Sequence, residues 1–107
     1  MQKQCYVYLD NELPLNVDHS LVFQTPNRVF FVNLDDGSII IKNGIVHQIN
    51  NNKYFVIRDT NNLYGVIRYD GAVIVPFEFY KILIWNNIIK VQKDKNSNYE
   101  QYCIIPK

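Results

Sequence analysis

A chain of 107 residues is long enough for one domain with a real core and too short for a core plus a separate catalytic domain. Its 48% hydrophobic, 14% aromatic and 20% charged residues exclude a disordered chain. The formal net charge of +1, with four Lys/Arg against five Asp/Glu in residues 1–53 and seven against five in 54–107, excludes a general electrostatic pull toward polyanions.

The N-terminal stretch MQKQCYVYLDNE lacks the long apolar region of a signal peptide, and no run of eighteen apolar residues occurs anywhere. The expectation is therefore a cytoplasmic protein with no membrane partner. Short runs rich in Val, Ile, Tyr and Phe then recur, bounded by Asn, Asp, Gly and Pro, with no sustained apolar pattern at helical spacing. They predict strands at Gln4 to Leu9, Leu21 to Gln24, Arg28 to Asn33, Ser38 to Lys42, Lys53 to Arg58, Leu63 to Arg68, Ala72 to Val75, Ile88 to Lys93 and Gln101 to Ile105. The fold class is all-β: a single compact antiparallel domain over residues 1–107. Asn and Ile number fourteen each, a bias that drift in an AT-rich genome produces, which points to a bacterium or its phage.

The elements repeat. Asp36-Gly37 and Asp70-Gly71 lie 34 residues apart, and the same offset carries Leu21-Val22-Phe23 onto Phe55-Val56-Ile57, Val32 onto Val66, Phe30 onto Tyr64 and Ile40 onto Ile74. The nine strands thus form three pseudo-repeats of three. In the two with an intact hairpin, two strands meet at Asp-Gly, suited to a two-residue type I′ turn, and a connection of about a dozen residues leads to the third. By that register Arg68 faces Val73 and Gly65 faces Pro76. The chain begins on a second-type strand and ends on a first-type strand, so pairing of Gln4 to Leu9 with Gln101 to Ile105 would close the fold and remove two exposed edges. Carried to the ends, the register sets Cys5 and Cys103 near each other but not directly opposed, so free thiols are expected.

The segment Tyr64-Gly65-Val66-Ile67, Asp70-Gly71, Val73-Ile74-Val75-Pro76, Phe79, Ile82, Trp85 and Lys90-Val91 resembles the WG-repeat family. Its units read roughly W-G-l-i-d-x-x-G-x-v-i-P-x-x-Y-d-x-i, followed by an aromatic and a final k-V strand. Residues 62 to 95 carry the best copy, with Tyr64 in place of the name-giving Trp, Phe79 for the motif Tyr and Tyr80 for the acidic residue after it. Residues 28 to 58 are a degenerate copy, in which Phe30 stands for the Trp, Phe31 for the glycine and Lys42 for the proline. What the resemblance implies is a β-rich repeat module of bacterial proteins without a shared set of catalytic residues.

The residues that carry chemistry elsewhere are sparse. His19 and His47 are the only histidines, and no H-x₃-H, C-x₂-C or H-E-x-x-H spacing is present to hold a metal. Asp35 and Asp36 are adjacent in a turn, none of the three serines has a G-x-S-x-G setting, and the four glycines are scattered rather than forming a phosphate loop. No catalytic residue, metal or cofactor is expected, and the chain reads as a non-enzyme. The candidate binding residues are Arg68, Tyr69, Tyr80, Lys81, Trp85, Lys90 and Lys93, where charge alternates with stacking surface. Two partner classes follow. The first is another protein, with the chain as an interaction module or a small stoichiometric inhibitor of a bacterial or phage protein such as a defence nuclease, in the manner of an anti-CRISPR. The second is single-stranded nucleic acid held on the basic aromatic C-terminal region.

Overall fold

The computed structural model describes residues 19–106. The predicted strand Gln4 to Leu9, and with it the closure of the termini, lies outside them. Nine strands run in order among the described residues: β1 (Ser20–Gln24), β2 (Arg28–Asn33), β3 (Ile39–Asn50), β4 (Tyr54–Asp59), β5 (Tyr64–Arg68), β6 (Val73–Phe79), β7 (Lys81–Trp85), β8 (Ile88–Gln92) and β9 (Tyr99–Ile104). They form two antiparallel sheets, β1-β2-β3-β4-β5-β6 and β7-β8-β9, each ordered as in the sequence. The all-β fold is as predicted; the elements between the hairpins are not.

The long connection expected after each hairpin is itself strand. β3 runs for 12 residues, pairing β2 with its first part and β4 with its second, the change falling between Asn43 and Gly44. Shifted by 34, Ile39–Asn50 covers residues 73–84, where β6 and β7 stand, separated only by Tyr80. The same long element is thus continuous in one repeat and broken in the next. Alternation was hard to see there because a register shift between Val46 and Gln48 changes its phase.

Gly44 is the pivot. Its φ is +156°, and a Cβ there would lie 2.5 Å from the Arg58 carbonyl oxygen and 2.9 Å from Ile57 Cγ2. Neither contact can be relieved by a flexible side-chain end. At this bend the β1-β2-β3 portion folds over one face of the β4-β5 portion.

The result is a middle sheet covered on both faces. Phe55 and Ile57 of β4, with Ile67 and Tyr69, pack on Val29 and Phe31 of the first portion. Tyr54 and Val56, with Tyr64 and Val66, face the other way onto Ile82, Ile84, Ile89, Val91 and Cys103 of the β7-β8-β9 sheet. The runs Tyr54-Phe55-Val56-Ile57 and Tyr64-Gly65-Val66-Ile67 are therefore buried at every position, as expected of strands with core on two sides, whereas β8 buries alternate residues. Gln48 joins the layers: its amide donates to the Ile84 carbonyl at 2.8 Å and accepts from the Ile84 N–H at 3.0 Å, mimicking a strand neighbour.

The Asp-Gly turns are not type I′. Only the glycines take positive φ, 75° at Gly37 and 89° at Gly71. The Gly71 N–H bonds the Arg68 carbonyl and the Arg68 N–H bonds the Ala72 carbonyl, both near 2.9 Å, giving a three-residue loop whose last residue is left-handed. The first hairpin has a four-residue loop closed by Asn33 N–H to the Ser38 carbonyl. The pairing therefore departs from the expected one, with Ile67 opposite Val73 and Tyr64 opposite Phe79.

The connection before β2, Thr25 to Arg28, is one residue shorter than its counterpart before β5, and the longer loop after β2 restores the 34-residue phase, which corrects the repeat alignment. Phe23 pairs with Phe30 as Ile57 pairs with Gly65, and Gln24 pairs with Val29 as Arg58 pairs with Tyr64. Phe30 thus occupies the place of the motif glycine and Val29 that of Tyr64, one residue off the sequence alignment. The type I′ geometry sits elsewhere, at Asn51-Asn52 (φ 55° and 59°) and Asn86-Asn87 (φ 52° and 60°). Asparagine tolerates the left-handed region better than most residues, so part of the Asn bias read as genomic drift is turn chemistry.

Candidate interaction surfaces

The seven candidate binding residues do not form one surface. Arg68 and Tyr69 lie at the β5–β6 turn. Tyr69 is only 4% exposed, packed with Phe31, Phe55 and Ile67 because it lies two residues beyond Ile67 on the same face. This corrects the expectation that its ring is a stacking surface. The Arg68 guanidinium is committed to Asp70, Nε to Oδ1 at 2.9 Å and Nη2 to Oδ2 at 2.6 Å. Burial by itself would raise the Asp70 carboxyl, but the Arg68 hydrogen bonds, the Ala72 amide and the guanidinium charge outweigh it and hold the pKa below its ordinary value.

The other residues gather on or beside the β7-β8-β9 sheet. Ile82, Ile84, Ile89 and Val91 point to the core, so alternation turns Trp85 and Lys90 to the opposite face, whereas the Lys81 ammonium reaches back to 5.3 Å from the Tyr64 ring. Trp85 is 63% exposed, the most open of the described large apolar side chains, and the Lys90 ammonium lies 5.6 Å from its ring centroid. Tyr80, at the break between β6 and β7, is 38% exposed with Lys81 Nζ 5.9 Å from its ring. Lys93 lies at the end of β8 and approaches Glu100 at 3.9 Å, an exposed pair. At the centre of this face Lys90 pairs with Gln101, in the places that Val66 and Val56 occupy in the middle sheet.

A second surface was not anticipated. The β1-β2-β3 portion turns Val22, Val29 and Phe31 to the core, which leaves two cross-strand rows on its outer face: Leu21-Val32-Ile39 and Phe23-Phe30-Ile41. Leu21, Phe23, Ile39 and Ile41 are 42–55% exposed, and the rings of Phe23 and Phe30 stack at 4.8 Å with 7° between planes. The runs Leu21-Val22-Phe23 and Ile39-Ile40-Ile41 are apolar throughout, which is a signal in the sequence for strands with apolar residues on both faces.

His47 stands 5.2 Å from the Tyr64 ring, edge to face. Partial burial first, then the charges of Arg58 and Lys81, lower its pKa below the ordinary 6.5. No group of three or more His, Cys, Asp or Glu able to hold a metal occurs among the described residues. Among the described residues, an open cleft of 220 Å³ is lined by Asn27, Gly44, Ile45, Arg58, Asp59, Thr60 and Asn62. Asp59 does structural work there, its Oδ1 accepting from the Asn61 and Leu63 amides at 2.8 and 3.0 Å. Cys103 is fully buried and disulfide-bonded, against the expectation of free thiols. That expectation carried the Asp70-Gly71 register to the chain ends, and the register itself is different.

The chain matches no protein-family model, no curated protein and no solved structure.

Proposed function

We propose that this protein is a divergent WG-repeat module that acts by binding another protein and performs no chemistry of its own. The observation that carries this reading is Trp85, 63% exposed on a rigid strand with Lys90 against its ring and Tyr80 nearby. A Trp held open in this way is the residue type that most often anchors a protein interface, since it buries much area at little entropic cost. A module of 12.7 kDa fits stoichiometric occlusion of a larger protein's working surface, and inhibition of a bacterial or phage protein is the form of action we assign. The Cys103 disulfide weighs against the cytoplasmic expectation, because a reducing cytosol keeps thiols unpaired.

A second reading uses the same face. Lys90 and Lys93, beside Trp85 and the exposed Tyr99 at the start of β9, could track a single strand of nucleic acid while the rings stack on bases. The two readings separate in one experiment. Immobilised wild type and Trp85→Ala are used to capture proteins from a bacterial lysate, identified by mass spectrometry, and the same pair is titrated with a fluorescent oligonucleotide at several salt concentrations. A stoichiometric protein lost with Trp85→Ala supports the first reading. Oligonucleotide affinity that falls steeply with salt supports the second, and neither result removes this face from function.

A further inference from the structure

Each layer of the molecule packs one defined face onto the next. The face of the middle sheet holding Phe55 and Ile57 lies on the Val22 side of the first portion, and the face holding Val56 lies on the Ile89 and Val91 side of the last sheet. Two faces remain at the ends of this stack. The terminal face of the last sheet is polar at its centre, with Lys90 and Gln101 where the middle sheet has Val56 and Val66, beside the exposed Trp85. No described residue caps the terminal face of the first portion. Leu21 and Phe23 stand there in the places of the buried Phe55 and Ile57, alongside Phe30, Val32, Ile39 and Ile41.

These six side chains expose on the order of 500 Å², near the upper limit for an apolar patch on a soluble monomer. Two such faces together would remove about 1,000 Å² from water, the lower bound for a specific interface. Head-to-tail growth onto the opposite end of another copy is disfavoured, because it would bury Lys90 and Gln101 against hydrocarbon. We propose that two copies instead pack these outer faces on each other, about a two-fold axis lying in the interface and crossing the strands.

Charge selects that arrangement. Along β2 the outer face begins at Arg28, exposed and without an ion pair among the described residues, and ends at the loop carrying Asp36 and Asp35, whose Oδ1 also meets His19 Nδ1 at 2.7 Å. An axis across the strands reverses β2 and brings Arg28 of each copy to the acidic loop of the other, twice. An axis along the strands would set Arg28 against Arg28. The chosen symmetry also lays the Phe23-Phe30-Ile41 row on the Leu21-Val32-Ile39 row of the second copy, so that large rings meet smaller side chains. It leaves both Trp85 faces outward, making the assembly bivalent for whatever that face binds.

The test is sedimentation equilibrium of the full chain over a concentration series. Wild type is expected at twice 12.7 kDa, and Ile41→Lys, at a site already exposed, as a folded monomer with unchanged circular dichroism. Arg28→Glu and Asp35→Lys are each expected to weaken association roughly tenfold, and the double variant to recover it, as paired charges exchange across the interface. A wild-type monomer at every concentration overturns the proposal. A dimer indifferent to Ile41→Lys, or charge variants that do not rescue each other, overturns it equally. Each of these results is independent of capture through Trp85.

Discussion

β1, β4 and β8 hold the same place in the 34-residue period, yet Ser20–Gln24, Tyr54–Asp59 and Ile88–Gln92 meet three different environments. β4 is buried on both faces; β1 turns its even-numbered Val22 inward, and β8 its odd-numbered Ile89 and Val91. One local structure is thus used as a centre and as two unlike ends. The composition follows the role at one end only, for β8 places Lys90 outward whereas β1 places Leu21 and Phe23 there. Where a terminal layer keeps the apolar face of an interior one, the stack is open to a further layer.

The sharpest break of this comparison is truncation at equivalent positions. Ile57→Ala removes a fully buried side chain enclosed on both sides and should cost about 3 kcal/mol, whereas Phe23→Ala, its counterpart in β1, should cost less than about 1 kcal/mol in urea melts of dilute protein. Equal losses would mean that the first portion is as enclosed as the middle.

A second pair compares the pivot with a loop. Gly44→Ala drives a Cβ into the Arg58 carbonyl and should cost about 2 kcal/mol or more, while Gly37→Ala, with nothing within 4 Å, should lose only about 1 kcal/mol from its positive φ. Gly71→Val falls between them, with a β-branched residue at φ 89° and the movable end of Ile40 in its way. If Gly44→Ala melts with wild type, the bend that folds one portion over the other does not depend on the glycine.

The smallest effect is in pH. The folded pKa of His47 is depressed below 6.5, so the folded state prefers the neutral ring. Its contribution is present above that value and declines as pH falls through it, because the unfolded chain then binds the extra proton more readily. Urea midpoints of wild type should fall from neutral pH toward pH 5, and His47→Gln should flatten that segment of the profile. A parallel decline in both proteins would locate the titration elsewhere.

Much of this architecture can be read from the residues, and the failures are specific. β2, β4, β5 and β8 were each placed to within a residue or two, because β-branched and aromatic runs bounded by turn residues are local signals. β7 and the second part of β3 were missed, since Ile45 to Asn50 and Lys81 to Trp85 read as connections when the repeat was taken to have three strands. Trp85 was singled out by its place in the repeat, and it is exposed. Tyr69 was singled out by type, and burial removed it. Phe23 and Phe30 drew no attention because an apolar residue in a strand is assumed to face a core, and which face has one is not a local property.

The sequence by itself determined the all-β antiparallel class, most of the strands and the 34-residue period, since these rest on alternation, β-propensity and turn chemistry acting over a few residues. Only the tertiary structure decided the register, because the Thr25 to Arg28 connection, one residue shorter than its counterpart before β5, moves Phe30 into the place of Gly65, and one added residue in the Leu34-Asp35-Asp36-Gly37 loop restores the phase at β3. It also decided which layer lies in the middle. Burial depends on what the chain brings against each face, so Leu21-Val22-Phe23 and Phe55-Val56-Ile57, alike in pattern, end as an open surface and a closed core.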